Sequence, residues 1–145
     1  MSFRKPSVTA DVIVKENGKV LLVKRKRAPF KGCWALPGGF LEVGRETVKQ
    51  AAQRELKEET GLVVELEDLE LIGESSNPNR DPRGHVVSLH YFVKRYSEKP
   101  NAGDDAAEVR WFPCDNLPKL AFDHKEILDK FPGGENEILK RLELV

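Results

Sequence analysis

Apolar and polar residues alternate in the first part of the chain, a pattern typical of β-strands. The segment VTADVIVKENGKVLLVKRK alternates on both sides of Asn17-Gly18. This dipeptide readily adopts positive φ at both positions, which favours a tight two-residue turn between antiparallel strands. The pattern therefore predicts a β-hairpin over residues 8–26.

The apolar period becomes helical between Thr47 and Thr60. No Gly or Pro interrupts this segment, and Ala and Leu recur at helical spacing until Gly61, a common C-terminal stop. These signals predict the principal helix. The stretch before it, RAPFKGCWALPGGFLEVG, contains many backbone breakers and predicts a loop that leads onto Trp34-Ala35-Leu36.

The second half of the chain predicts three more strands and two helices. The segments LVVELEDLELIGESS, HVVSLHYFVKRY and EVRWFP are rich in β-branched and aromatic residues, and the breaker-rich NPNRDPRG separates the first two. FDHKEILDKF predicts a helix in which Asp123 and Glu126 have the spacing of a capping box, and ENEILKRLEL predicts another. The order of elements indicates a single α/β domain over residues 1–145, with a mixed sheet covered by helices.

Three glutamates of the principal helix, Glu55, Glu58 and Glu59, share one arc of its surface. At about 100° per residue, Glu59 and Glu58 lie near 40° and −60° from Glu55. The apolar residues of the helix fall on the same arc: Val48, Ala51, Ala52 and Leu56. We therefore expect all three carboxylates to continue the buried stripe. The residues expected to face water are Gln50, Gln53 and Lys57.

Converging carboxylates need positive charge beside them, and Arg54 supplies only one. Oxygen ligands without His or Cys favour a hard cation, so Mg²⁺ is the expected partner and Mn²⁺ a possible substitute. The double glycine Gly38-Gly39 permits close approach of the backbone, so that a carbonyl can join the metal and amides can face phosphate oxygens. The combination predicts a metal site for phosphate chemistry.

Charge and composition argue against several classes of function. The chain has 24 basic and 24 acidic residues and no net charge, which argues against a nucleic-acid partner. No apolar run has the length of a signal peptide or a membrane span, so we expect a cytoplasmic protein without membrane contact. Cys33 and Cys114 lie far apart and without metal-binding spacing, which predicts free thiols.

Residues 46–62 resemble the signature of the Nudix hydrolase family. Glu46, the seven residues after it and then RELKEETGL match that signature at every specified position. Between Gly39 and Glu46 there are six residues, one more than in the signature. Arg45 is therefore either an insertion in the loop or a replacement of the first signature glutamate. We favour the insertion, because Glu46 keeps its helical register with Arg54.

The resemblance implies a Nudix-type α/β/α sandwich with a central mixed β-sheet. It also implies metal-dependent hydrolysis of a nucleoside diphosphate that is linked to another group. Arg54 would orient Glu55 and pair with Glu46. The metal ligands that the resemblance implies are the Gly38 carbonyl, Glu55, Glu58 and Glu59.

The flanking segments narrow the resemblance to one branch of the family. KRKRAPFKGCWALPGGF, DPRGHVVSLHYF, AGDDAAEVRWFP and LAFDHKEIL are similar to segments of the small ADP-ribose pyrophosphatases of bacteria and archaea. Members of that branch split ADP-ribose into AMP and ribose 5-phosphate, usually as homodimers. Two alternatives stay open: another Nudix activity, on modified nucleoside triphosphates or dinucleoside polyphosphates, and a non-catalytic ADP-ribose sensor, which predicts an eroded signature.

Several residues outside the signature are candidate substrate contacts: Arg25, Arg27, Gly39, Arg83 and His85. Guanidinium groups match phosphate geometry with two parallel hydrogen bonds. Each arginine also has a structural interpretation, as a solvated strand end for Arg25 and Arg27 and as part of a turn for Arg83.

The general base and the base-stacking residue each have two interpretations. The base is either Glu58 in the signature or an acidic residue of the loop from Asp104 to Glu108, of which Glu108 is the candidate. Phe30 and Trp34 either stack on the nucleobase or belong to the core, and the core is favoured. We expect only structural roles for the two histidines His90 and His124.

Overall fold

The computed structural model describes residues 4–102 and 106–143, without the side chain of residue 107. The strands in this part of the chain are β1 (Ser7–Ile13), β2 (Lys15–Glu16), β3 (Lys19–Arg25), β4 (Trp34–Ala35), β5 (Gly38–Phe40), β6 (Leu69–Ser75), β7 (Val86–Val93) and β8 (Ala106–Pro113). The helices are α1 (Val48–Thr60), α2 (His124–Asp129) and α3 (Glu135–Glu143), with a 3-10 turn at Leu66–Asp68.

The described strands form two four-stranded sheets rather than one. The first has the order β5-β1-β7-β6, and the second joins β2, β3 and β4, with β8 paired to β3. In the first sheet β1 runs parallel to β7 and antiparallel to β5, while β6 runs antiparallel to β7. The α/β class and the mixed sheet predicted from the sequence are confirmed.

The predicted hairpin is present, but its first strand divides between the two sheets. Asn17 and Gly18 form the turn with φ of 51° and 75°, and β2 pairs with β3 across it. The longer strand β1 instead lies in the centre of the mixed sheet, where residues 9–13 are buried whichever face they point to. Burial on both faces, rather than alternation, marks a central strand.

The principal helix begins and ends where the sequence predicts. The Thr47 hydroxyl accepts a hydrogen bond from the Gln50 amide at 3.1 Å, and the Gln50 side chain accepts one from the Thr47 amide at 2.9 Å, which completes a capping box. Gly61 ends the helix with φ of 78° and donates its N–H to the Lys57 carbonyl at 2.9 Å. Local capping chemistry therefore fixes both ends of α1.

Two apolar clusters lie on opposite sides of the sheets, as in an α/β/α sandwich. One joins α1 to β1 and β7 and includes Val12, Leu56 and Tyr91. The other joins α2 and α3 to the strands and includes Phe92 and Ile127. No helix in the described part of the chain is both long enough and apolar enough to cross a bilayer.

The capping box predicted for α2 is wrong. Asp123 precedes the helix, but its side chain makes no capping hydrogen bond. Its two carboxylate oxygens accept hydrogen bonds from Arg80 at 2.7 and 2.9 Å instead. A charge-assisted bidentate pair is stronger than a single cap to a neutral amide, so the distant arginine takes the carboxylate.

Removal of the Thr47 hydroxyl tests the cap of α1. We expect Thr47→Ala to lower the free energy of unfolding by about 1 kcal/mol, because the Gln50 amide loses its acceptor. Urea unfolding measures the change. Thr47→Ser keeps the hydroxyl and is the matched control, and an equal loss in both variants would contradict the capping explanation.

Candidate active site

Arg54 holds together the carboxylates that surround it. Its Nε and Nη2 donate to the two oxygens of Glu46 at 2.8 and 2.9 Å. Its Nη1 donates to Glu55 at 2.9 Å and to Glu58 at 3.2 Å, and Nη2 also donates to the Phe40 carbonyl at 3.2 Å. The hydrogen bonds from Arg54 to Glu46 are the main cause of the lowered pKa of Glu46. The guanidinium thus holds the three carboxylates in place.

The extra residue Arg45 lies in a tight turn before the helix. The Arg45 amide donates to the Glu42 carbonyl at 3.1 Å, and the Glu42 amide donates to the Glu46 carboxylate at 3.1 Å. Glu46 therefore keeps its contact with Arg54 while the turn accommodates the surplus residue. The geometry agrees with the interpretation of Arg45 as an insertion.

The expectation that all three helix carboxylates point inward is only partly correct. Glu59 is 9% exposed and the Glu55 side chain 13%, but the Glu58 side chain is 44% exposed. The buried residues Ala52, Leu56 and Glu59 centre the inner face near 60° from Glu55, so Glu58 lies about 120° away from that centre. Glu58 therefore stands at the rim, beside Arg54.

The opposite face of α1 also differs at one position. Gln50 and Lys57 are exposed as predicted. Gln53 is half-buried, because its side-chain amide donates to the Val64 carbonyl at 2.9 Å. This bond ties the helix to the segment that follows it.

The double glycine allows β5 to lie directly against Glu55. A Cβ atom on Gly39 would lie 2.5 Å from the Glu55 Cδ atom, a distance that real Cβ atoms do not tolerate. A Cβ atom on Gly38 would lie 2.6 Å from Oδ1 of Asp11. A side chain is therefore excluded at Gly39 by the Glu55 carboxylate, and at Gly38 by the Ala10 carbonyl and the Asp11 carboxylate. The roles predicted for these glycines toward a metal and phosphate stay predictions.

A cleft of about 360 Å³ opens between these elements. Carboxylates and basic side chains both line it. The acidic residues are Asp11, Glu42, Glu55, Glu59 and Asp81, and the end of β3 contributes a basic run of Lys24, Arg25, Lys26 and Arg27. The other polar side chains are Thr9, Arg54, Arg80, Arg83 and His124. The cleft thus brings negative and positive charge together.

The donor set suits a hard cation that is shared with a phosphate ligand. Glu55 and Glu59 both line the cleft next to Gly38 and Gly39. Within residues 4–102 and 106–143, no three His, Cys, Asp or Glu side chains converge as a complete metal site. Mg²⁺ is commonly held by one or two carboxylates and completes its shell with substrate phosphates and water. Two inward carboxylates beside a backbone without side chains fit that arrangement.

Four predicted site residues are not among those that line the cleft. Glu46 and Glu58 contact Arg54, which does line it, whereas Glu108 and His85 have other partners. Glu108 is on β8 opposite Lys24, and its carboxylate accepts a hydrogen bond from Arg110. The His85 ring lies on the surface, with Nε2 2.8 Å from the Ser76 carbonyl. The structure therefore does not bring these two residues to the site. Asp104 and Asp105 lie outside the described residues.

The aromatic residues of the cleft are not the two considered from the sequence. Trp34 packs edge-on against Phe112 with ring centroids 4.7 Å apart, and Phe30 packs edge-on against Phe122 at 4.9 Å. The cleft is lined by Phe40 and Phe122 instead. The sequence signal for Phe40 is its position directly after the double glycine. No local sequence signal indicates that Phe122 lines the cleft.

Buried polar groups form the floor of the cleft. The Ser88 hydroxyl donates to Asp11, and Nε2 of His124 lies 3.6 Å from the same carboxylate. Burial opposes ionisation of Asp11, but His124 and Ser88 bring its pKa below the ordinary value. Nδ1 of His124 accepts a hydrogen bond from the Leu36 amide at 3.0 Å. Sequence reasoning missed Asp11, although a charge amid the apolar TADVIV is a signal.

Comparison with known proteins identifies the class of protein to which this fold and cleft belong. The family model for the NUDIX domain matches residues 4–131. The chain is 50% identical over 131 residues to an ADP-ribose pyrophosphatase of Methanocaldococcus jannaschii, covering 90% of this chain and 76% of the relative. The chain therefore belongs to the Nudix family, and the resemblance inferred from residues 46–62 is confirmed.

Solved structures of the same family are similar throughout the fold. The NUDIX domain of Shewanella oneidensis NrtR, complexed with ADP ribose, has a TM-score of 0.79 and 31% identity, over 88% of this chain and 87% of that one. A bifunctional NMN adenylyltransferase/ADP ribose pyrophosphatase from Francisella tularensis, complexed with AMP and a Mn ion, has a TM-score of 0.77 and 34% identity. The match covers 90% of this chain and 42% of the Francisella chain.

A methyl group on Gly39 tests the close contact with Glu55. We expect Gly39→Ala to fold but to lose roughly 100-fold in turnover of the substrate proposed below, because the new Cβ displaces the Glu55 carboxylate. Circular dichroism and a turnover assay separate the two effects. Gly134→Ala, where a Cβ meets nothing within 4 Å, is the control. Full activity of Gly39→Ala would refute the contact argument.

The buried His90 ring makes stability depend on pH. Neither ring nitrogen has a hydrogen-bond partner among the described residues, and burial lowers the pKa of the ring from 6.5 to about 4. Between these values the unfolded chain binds a proton that the folded chain does not, so the free energy of unfolding falls as pH falls. Asp11, whose pKa is below 3.8, contributes only at lower pH.

Urea unfolding at about pH 7 and about pH 5 measures this dependence. We expect the wild-type protein to be less stable at the lower pH, and His90→Leu to remove most of the difference. A His90→Leu variant that keeps the wild-type pH dependence would show that other groups cause it.

Proposed function

We propose that this Nudix protein hydrolyses the diphosphate of ADP-ribose to AMP and ribose 5-phosphate, with Mg²⁺ or Mn²⁺ as its cofactor. The observation that carries the proposal is the cleft itself, which is lined both by Glu55 and Glu59 and by the basic run at residues 24–27. Carboxylates that can hold a divalent metal, together with basic side chains, suit a diphosphate ligand. The activity named for the Methanocaldococcus relative at 50% identity supports the choice of substrate.

The reaction adds water across the P–O–P bond. The water oxygen forms a new bond to one phosphorus, the bridging oxygen leaves with the other phosphate, and the water protons are passed to the products or to solvent. A bound divalent metal supplies Lewis-acid stabilisation of the phosphate charge. Glu55 and Glu59 would hold it, and Arg54 keeps Glu55 in place through the 2.9 Å hydrogen bond.

The basic residues bind and orient the diphosphate. Arg25, Arg27 and Arg83 all line the cleft, and guanidinium groups donate paired hydrogen bonds to phosphate oxygens. The Gly39 backbone lies beside Glu55 and can approach the same phosphate closely. These contacts fix the scissile bond against the carboxylates.

Glu58 is the better placed of the two candidate general bases. It shares Nη1 of Arg54 with Glu55, at 3.2 and 2.9 Å, and its side chain is exposed to water. Glu108 instead bonds Arg110. Neither glutamate is among the residues that line the cleft, so the contact with Arg54 is what favours Glu58. A base at the rim of the helix can take a proton from a water that enters with the substrate.

We also propose that the 145 residues act as a single domain, in a homodimer in the cytoplasm with no nucleic-acid or membrane partner. The balanced charge supports the exclusion of nucleic acid. The resemblance to the small ADP-ribose pyrophosphatases supports the dimer. Light scattering of the purified chain tests it.

Turnover of ADP-ribose with and without Mg²⁺ tests the proposed activity. We expect metal-dependent release of AMP and ribose 5-phosphate, and a loss of roughly 100-fold in Glu59→Gln, because one metal-binding charge is removed. Glu67→Gln changes an exposed glutamate outside the cleft and serves as the control.

The alternatives predict other results. Hydrolysis of modified nucleoside triphosphates or dinucleoside polyphosphates in preference to ADP-ribose would favour another Nudix activity. Tight binding of ADP-ribose without hydrolysis of any nucleotide would favour the sensor. Activity of Glu59→Gln equal to that of the wild type would contradict the assigned role of this carboxylate.

A further inference from the structure

One aromatic ring in the cleft lies beneath two guanidinium groups. The Arg25 Cζ atom lies over the Phe122 ring, 4.9 Å from its centroid. The Arg83 Cζ atom lies over the same ring at 5.5 Å. All three side chains line the cleft. A ring face attracts cations through its quadrupole, so Phe122 brings two positive charges to one place.

Each guanidinium is also held by a second contact. Nε of Arg25 donates to the Pro29 carbonyl at 2.7 Å. Nε and Nη2 of Arg83 donate to the Asp81 carboxylate at 3.1 and 2.8 Å, and the Phe40 ring lies 4.7 Å from the Arg83 Cζ atom. These contacts therefore fix the orientation of both guanidinium groups in the cleft without a ligand.

The two cations repel each other, and the charges of Glu59, Asp81 and Asp11 offset part of that repulsion at Arg25. Burial first, and the charge of Arg83 next, lower the pKa of Arg25. A nearby pair shows that the fold can satisfy an arginine completely: Arg80 is bidentate with Asp123, and its side chain is only 4% exposed. The Arg83 side chain is 40% exposed. Both arginines pair with a carboxylate and line the cleft, but Arg83 is the more exposed of the two.

We propose that Phe122 is a positioning residue that sets Arg25 and Arg83 side by side as a clamp for the diphosphate. The proposal rests on the proposed function for the identity of the substrate. Two guanidinium groups present paired N–H donors, and a diphosphate offers oxygens on two adjacent phosphorus atoms. Glu55 and Glu59 line the same cleft, so a diphosphate held by the clamp lies in the cleft that also contains these carboxylates.

Equilibrium binding of inorganic pyrophosphate in the presence of Mg²⁺ tests the clamp without turnover of a nucleotide. We expect Phe122→Leu to weaken pyrophosphate binding about tenfold, because both cation–π contacts are lost. Phe122→Tyr keeps the ring and is expected to retain binding. Adenosine, which has no phosphate, is titrated in parallel and its affinity is expected to stay unchanged.

Phe112→Leu is the matched control. The Phe112 ring supports Arg110 at 5.7 Å, the same kind of contact, but neither residue lines the cleft. We expect this variant to bind pyrophosphate as the wild type does. Arg83→Lys keeps the charge and removes the planar group, so it is expected to weaken binding even if Phe122→Leu does not fold.

A double variant measures whether the ring acts through the arginine. Arg83→Leu in the Phe122→Leu background is expected to lose less affinity than Arg83→Leu alone, because the two residues share one interaction. Fully additive losses would overturn the positioning role. Unchanged pyrophosphate affinity in Phe122→Leu, or no pyrophosphate binding by the wild type, would overturn it as well.

The remaining outcomes separate this inference from the proposed function. Loss of adenosine binding with intact pyrophosphate binding in Phe122→Leu would show that the ring stacks on the base, and would overturn the clamp. Pyrophosphate binding that follows the expected pattern, in a wild-type protein that does not hydrolyse ADP-ribose, would support the clamp and overturn the proposed function.

Discussion

The site depends on the Arg54 guanidinium, which bonds Glu46, Glu55, Glu58 and the Phe40 carbonyl together. Without this cation, carboxylates from one helix and its preceding loop would repel each other at short range. The same group joins α1 to the end of β5, so the helix and the glycine strand are positioned relative to each other by one side chain. The opening of the cleft follows from that junction.

The second constraint is space at the junction. Gly39 lies against Glu55, and Gly38 against Asp11, so that the strand fits between a helix carboxylate and the floor of the cleft. His124 ties the start of α2 to the Leu36 amide just before this strand at 3.0 Å. Elements from both halves of the chain therefore meet at two glycines, and their charged side chains line the same cleft. Carboxylates and basic groups in one cleft suit an anionic ligand with a metal.

Local signals in the sequence predicted α1 and its end at Gly61, because both depend on neighbours within a few residues. Long-range pairing explains what the sequence did not predict. Asp123 leaves its expected capping role for Arg80, which is 43 positions away, and Phe122 meets Arg25 and Arg83 only in the folded chain. Helical periodicity predicted that Glu58 points inward. The predicted inner arc of α1 was wider than the face that is buried, so it included Glu58 at the edge of that face.

Equilibrium binding of Mn²⁺, followed by loss of the free-ion resonance in electron paramagnetic resonance, tests the central claim that these carboxylates are assembled to hold a divalent metal. The account predicts saturable binding by the wild type and a large loss of affinity in Glu55→Gln, since Glu55 lies closest to the glycine strand. Absence of binding by folded wild-type protein, or equal binding by Glu55→Gln, would contradict it.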